Sequence, residues 1–176
     1  DLRGSGFKAY ERLCQYPAFH EDETYMTVFP GKGYNEIKVG DTFGAAVTIT
    51  DAHLVLAAGL IGDSHPLHIN QQYAEQTRFK GRVLHGVFTG ALVGGPVGTF
   101  FAGTGIAYLE HNCRFTNPVR PGDTLTTTWT IATKTDKPKH GGGLVALTGV
   151  CRNQKDEVVV EAQAKMLVRN VEDPGG

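Results

Sequence analysis

The stretch GDSHPLHIN, residues 62–70, carries one carboxylate and two imidazoles, on Asp63, His65 and His68. Such groups can act together as a general acid and base, or they can bind a metal ion. A polar turn is a third interpretation, because Gly-Asp pairs are common in turns. Pro66 disfavours helical geometry in the residue before it, which predicts a loop boundary here. From these residues alone, all three interpretations stay open.

The rest of the sequence gives little support to a metal or cofactor site. No HExxH motif occurs, and no second His or Glu partner follows at helical spacing. Neither a GxSxG motif nor a phosphate-binding P-loop is present. GTGIAY begins like a dinucleotide-binding motif but has Tyr108 where the third glycine belongs. We therefore expect no metal and no cofactor.

The elements that position these groups begin with an irregular N-terminal arm, residues 1–33, with a short helix near FKAYERLCQ. TFGAAVTI is a predicted strand, and Thr50 or Asp51 can cap the helix after it. HINQQYAEQTRF predicts a second short helix. GDSHPLHIN therefore begins in a loop between two helices.

The next segment, HGVFTGALVGGPVGTFFAG, is apolar on nearly every side. A helix without a polar face must be buried or wrapped by other elements. Its glycines lower helix propensity, so they indicate close approach to neighbouring strands. Pro96 is expected to kink or end this helix.

Four long segments rich in Val, Thr and Ile follow, separated by turn signals. They are IAYLEHNCRFT, TLTTTWTIATKTD, GLVALTGVCRNQ and EVVVEAQAKMLVRN. The predicted fold class is α+β, with a mostly antiparallel sheet around one helix.

Three segments in this order resemble the MaoC-like hydratase/dehydratase family, which includes the (R)-specific enoyl-CoA hydratases. They are VGDTF, ITDAHLVLAAGLIGDSHPLHINQQYAEQTRFKGRVLHG and CRFTNPVRPGDTL. The resemblance covers residues 36–170 and implies a single hot-dog domain over residues 34–172. In that fold a curled antiparallel sheet surrounds a long central helix.

The resemblance implies reversible addition of water to a trans-2-enoyl-CoA, giving an (R)-3-hydroxyacyl-CoA. Asp63 and His68, spaced by Pro66, would hold one water in an apolar tunnel and act as general acid and base. The N–H of Gly86, at the start of the buried helix, would stabilise charge on the thioester oxygen.

His65, Pro66 and His85 are possible supporting residues. His65 stands where related sequences usually have Asn, and Gly94 stands where they often have Ser. The loss of that hydroxyl bears on acyl chain length rather than on the reaction. Cations that could bind CoA phosphates are Arg78, Lys80, Arg82, Arg114 and Arg120, although a solvated charged surface explains them equally well.

Composition limits the remaining possibilities. The chain has 176 residues and a formal net charge of −1, which argues against a nucleic-acid-binding protein. Three cysteines without a CxxC motif, and no apolar run near the ~20 residues of a membrane span, indicate a reduced, cytoplasmic protein. An open sheet edge predicts a homodimer with the active site near the interface.

Two other functions remain open at this point. A hot-dog thioesterase would bind the same acyl-CoA and hydrolyse it, and a non-catalytic subunit would bind acyl-CoA within a larger complex. The acyl group, and the choice between CoA and acyl carrier protein, depend on tertiary packing that the sequence does not fix.

Overall fold

A computed structural model describes residues 31–171 of the chain. The helix expected near FKAYERLCQ, and most of the arm, lie outside the described residues. Five strands form one sheet: β1 (Thr42–Thr48), β2 (Gly105–Phe115), β3 (Thr124–Lys137), β4 (Gly142–Arg152) and β5 (Val158–Arg169). Every neighbouring pair is antiparallel, and the strand order is β1-β3-β4-β5-β2. This confirms the predicted strand before the helices and the four predicted strands after them.

The α-helices of residues 31–171 all lie between β1 and β2 in the chain, and a 3-10 helix (Pro138–His140) joins β3 to β4. The α-helices are α1 (Asp51–Ile61), α2 (Pro66–Ile69), α3 (Gln71–Gln76) and α4 (Gly86–Phe100). Helix α4 contacts β1 and β2, the two edge strands, and also β5. A sheet whose two edges touch the same helix must curl around it, so the expected α+β hot-dog arrangement is confirmed.

The described core lies between α4 and the inner face of the sheet. Val93 and Val97 of α4 are fully buried, as is Trp129 of β3. The indole N–H of Trp129 donates to the Val93 carbonyl at 2.9 Å, which ties the helix to the sheet. None of the helices between residues 31 and 171 has the length and apolar character needed to cross a bilayer.

The sequence predicted that Pro96 would kink or end this helix, but α4 does not end there. The helix includes Pro96 and runs on to Phe100. Proline removes one hydrogen bond within a helix, but Val97 and Phe101 beyond it are buried against the sheet. Tertiary packing therefore maintains the helix past a residue that would end it in isolation.

The second predicted helix, HINQQYAEQTRF, is two short helices. Asn70 separates α2 from α3, and its side chain accepts the N–H of Tyr73 at 3.0 Å as a helix cap. Asn is among the residues that favour this capping position, because its side chain satisfies a free first-turn N–H. The break turns the chain between the two helices and leaves His68 within α2.

Candidate active site

The loop that carries Asp63 begins where α1 ends. Gly62 closes α1 in a left-handed conformation with φ of 73°, which glycine adopts without steric cost. The Asp63 carboxylate then accepts the backbone N–H of His65 at 3.1 Å. The Nδ1 of His65 accepts the N–H of Leu67, also at 3.1 Å, and Pro66 occupies the first position of α2. His65 thus caps a helix, as the Asn of related sequences could.

His68 faces the Asp63 carboxylate from the first turn of α2. Its Nδ1 lies 2.7 Å from the carbonyl oxygen of Val83. A carbonyl oxygen only accepts, so Nδ1 carries the proton and Nε2 of the neutral ring presents a lone pair. That Nε2 lies 3.8 Å from the Asp63 carboxylate, too far for a direct hydrogen bond but close enough for both groups to contact one water.

The two side chains differ in burial. His68 is 13% exposed, whereas the Asp63 side chain is 49% exposed in the single chain. The sequence led us to expect both side chains in an apolar tunnel. In the described chain only His68 is largely buried, so this expectation is not met for Asp63. Asp63 lies on a short loop between two helices, so no element of the described chain covers its outer side.

His85 is a buried residue that contacts both Asp63 and His68. It is 1% exposed and immediately precedes α4. Its Nε2 lies 2.8 Å from the backbone carbonyl of Asp63, and its ring stacks on that of His68 with centroids 3.7 Å apart. Its Nδ1 is buried and has no hydrogen-bond partner among the described residues.

Gly86 is the first residue of α4, directly after His85. First-turn N–H groups have no partner within their own helix, and the positive end of the helix dipole favours negative charge there. A cavity of about 420 Å³ is lined by Gly86, His68, Phe115 and Arg78. The sequence-predicted histidine and oxyanion donor therefore share one cavity, and Asp63 adjoins it through His68.

The candidate CoA-binding cations are placed differently from one another. Arg78 lines the cavity, and Lys80 is exposed close by in the chain. Arg82 pairs with Asp51, and Arg114 pairs with Glu161. The remaining cation, Arg120, donates to the carbonyl of Phe79. Among the described residues, Arg78 and Lys80 therefore have no ion-pair partner, whereas the other three cations are already paired or hydrogen-bonded.

A group that sequence reasoning missed lies on β2. The Tyr108 hydroxyl is 2.7 Å from Nδ1 of His111, whose Nε2 is 2.8 Å from Sγ of Cys113. An irregularity in β2 between Tyr108 and Glu110 shifts the strand register, so strict two-residue alternation does not predict that Tyr108 and His111 share a face.

Gly94, which the sequence marked only for a missing hydroxyl, packs against this group. A Cβ at Gly94 would lie 2.6 Å from Cε1 of His111, so the imidazole occupies the space that a side chain would need. Burial lowers the pKa of His111 and raises the pKa of Tyr108 to about 12. Burial, with Cys151 nearby, also raises the pKa of the Cys113 thiol. The three groups are consequently uncharged near neutral pH.

A second set, Asp63, His68 and His85, brings three possible ligand atoms within 4.8 Å of one another. Two of them belong to imidazoles stacked with an interplanar angle of 27°. Ring lone pairs lie in the ring plane, so stacked rings direct them side by side rather than towards one point. A tetrahedral ion requires converging ligands, and the arrangement suits acid–base chemistry better.

Residues 35–148 match the protein family described as MaoC like domain. An (R)-specific enoyl-CoA hydratase of Rhodospirillum rubrum is 33% identical over 135 residues, covering 77% of this chain and 90% of the relative. A 3-hydroxybutyryl-CoA dehydratase of Methylorubrum extorquens is 29% identical, covering 80% of this chain and 86% of the relative.

A solved structure shares the fold. The unliganded R-hydratase PhaJ1 of Pseudomonas aeruginosa superimposes with a TM-score of 0.72 at 30% sequence identity. The match covers 83% of this chain and 94% of that one.

Proposed function

The chain belongs to the MaoC-like domain family, and on that premise we propose that it catalyses reversible hydration of trans-2-enoyl-CoA to (R)-3-hydroxyacyl-CoA. The observation that carries the proposal is the placement of His68, which lines the same cavity as Gly86 and whose Nε2 lies 3.8 Å from the Asp63 carboxylate. The names of the two curated relatives support the same reaction class.

Asp63 and His68 handle the protons in this proposal. The carboxylate and the bare Nε2 together hold one water, which attacks C3 of the enoyl group as it loses a proton. The pair then returns a proton to C2. The Val83 carbonyl keeps the proton of His68 on Nδ1, so Nε2 presents its lone pair to the water before the proton is transferred.

Gly86 stabilises the charge that builds on the thioester oxygen. Its N–H is at the start of α4, where a donor and the helix dipole act together. A single donor of this kind contributes about 3 kcal/mol in comparable sites. Phe115 lines the same cavity as Gly86, and a Cβ at Gly86 would lie in ordinary contact with its ring, at 3.6 Å.

The substrate in this proposal carries a short- to medium-chain or substituted acyl group on CoA. Arg78 lines the cavity and Lys80 lies two residues further along the chain. Neither has an ion-pair partner among the described residues, and in this proposal both contact the phosphates of the CoA whose thioester lies at Gly86. Cations favour phosphate oxygens as charge-assisted hydrogen-bond acceptors.

We also propose a homodimer. Strand β2 is an edge of the sheet and exposes Ile106 and Leu109. Helix α1 exposes Val55, Leu56 and Leu60 as well. Apolar groups beside an unpaired strand edge favour a partner, and a second copy would cover the exposed side of Asp63.

Two free cysteines in the described part support a cytoplasmic location.

A panel of enoyl-CoA thioesters tests the function. The protein is incubated with each thioester, and the products are analysed by mass and by chirality. We expect the gain of one water and an (R)-3-hydroxyacyl product. Release of free CoA without water addition would indicate a thioesterase, and no change with any thioester would indicate a non-catalytic binding protein.

A further inference from the structure

His85 contacts both members of the acid–base pair while being shielded from solvent itself. We propose that His85 is a positioning residue, which fixes the Asp63 loop and the His68 ring in their reactive arrangement. The inference rests on the proposed hydratase function. It assigns His85 no contact with the substrate.

The first contact fixes the Asp63 loop. The backbone carbonyl of Asp63 accepts a hydrogen bond from Nε2 of His85 at 2.8 Å, across 22 positions of the chain. The Asp63 side chain makes one hydrogen bond among the described residues, to the N–H of His65 two residues later in the same loop. His85 therefore supplies the link between this exposed loop and the start of α4.

The second contact fixes the His68 ring. The His85 and His68 rings stack with centroids 3.7 Å apart and an interplanar angle of 27°. The Val83 carbonyl holds Nδ1 of His68 in its ring plane, and His85 limits rotation out of that plane. Together the two contacts direct Nε2 of His68 towards the Asp63 carboxylate.

The unpaired nitrogen of His85 argues against a role in packing alone. Because Nε2 carries the proton, Nδ1 is a bare acceptor, and it is buried without a partner among the described residues. An unpaired buried acceptor costs stability that an apolar side chain at the same place would not. Histidine supplies what an apolar ring lacks, which is a donor for the Asp63 carbonyl.

Two substitutions separate the donor from the ring. His85→Phe keeps an aromatic face against His68 but removes the hydrogen bond, whereas His85→Gln keeps a donor near the Nε2 position. For His85→Phe we expect kcat on crotonyl-CoA to fall about 100-fold with KM nearly unchanged, the effect of a small misplacement of catalytic groups. His85→Gln is expected to recover part of that loss.

The control is Ile131→Val, a conservative change at a fully buried position of β3. It is expected to lower the melting temperature without changing kcat. If the wild type is active and His85→Phe keeps its kcat within a factor of about two, the positioning role is overturned and the proposed function is not. A wild type that hydrates no enoyl thioester overturns the proposed function instead.

A measurement on the folded wild type needs no activity. Nitrogen-15 NMR of the histidine rings distinguishes the two neutral tautomers. We expect the proton on Nε2 of His85 and on Nδ1 of His68, as their carbonyl partners require. A proton on Nδ1 of His85 means that the bond to Asp63 is not made, and it overturns the inference whether or not His85→Phe folds.

Discussion

A proline substitution at Gly86 would remove one peptide N–H without disrupting the helix. Proline is tolerated at the first position of a helix, and the residue before it, His85, has φ of −58° and ψ of 132°, which a following proline permits. We expect Gly86→Pro to lower kcat by about 10²–10³-fold, because the oxyanion donor is lost. Steady-state kinetics and thermal melting measure the two effects separately.

The matched control at this position is Gly86→Ala, which keeps the N–H. Its Cβ would lie in ordinary contact with the Phe115 ring, at 3.6 Å. If Gly86→Ala and Gly86→Pro lose activity equally, the loss comes from the added carbon atoms and Gly86 is not the oxyanion donor.

His111 predicts a pH dependence of stability. Burial lowers its pKa in the folded protein below the usual value of 6.5. Below pH 6.5 the unfolded chain therefore binds a proton that the folded chain binds more weakly. The free energy of unfolding falls as the pH drops from 6.5 towards the lowered value. Urea titrations should show a smaller fall for His111→Asn, and an equal fall would contradict the assignment.

At the scale of elements, two of the five glycines in α4 have opposite roles. A Cβ at Gly94 would collide with His111, whereas a Cβ at Gly98 would meet no atom within 4 Å. Gly94→Ala should therefore destabilise the fold by about 1–3 kcal/mol through overpacking. Gly98→Ala should stabilise it by about 0.5–1 kcal/mol through helix propensity. Urea denaturation compares them, and equal stability of both variants would refute the close packing at His111.

The elements were largely predictable because each has a local signal. Alternation and β-branched residues predict the strands, and an apolar segment without a polar face predicts the buried α4. The break at Asn70 has a local signal that was missed, because Asn favours the capping position. The continuation through Pro96 was not predictable, because it depends on packing against the sheet.

The candidate site was predictable where its residues lie in local sequence motifs. Asp63, His68 and Gly86 lie in motifs that a resemblance can carry. The hydrogen bonds of His111 lie within β2, where an irregularity in strand register breaks strict alternation. The stacking of His85 on His68 joins residues from different elements. Such contacts depend on how helices and strands pack, and no spacing along the chain encodes them.

At the scale of the whole molecule, the exposed apolar surface predicts a dimer. Each chain has a mass of 19.0 kDa, and sedimentation at micromolar concentration should give twice that value. Leu109→Lys on the edge strand β2 should shift the species towards the monomer, because a charge at a strand edge opposes pairing. Val150→Lys, at an exposed position of the central strand β4, is the matched control and should remain dimeric. A wild-type monomer would contradict the proposed assembly.

The central claim is that Asp63 and His68 act together on one water. Hydration of crotonyl-CoA by the wild type, Asp63→Asn and His68→Ala tests this claim most directly, with melting temperatures measured in parallel. We expect (R)-3-hydroxybutyryl-CoA from the wild type and a loss of about 10²–10⁴-fold in kcat for each variant at an unchanged melting temperature. Wild-type rates of hydration in both variants would contradict it.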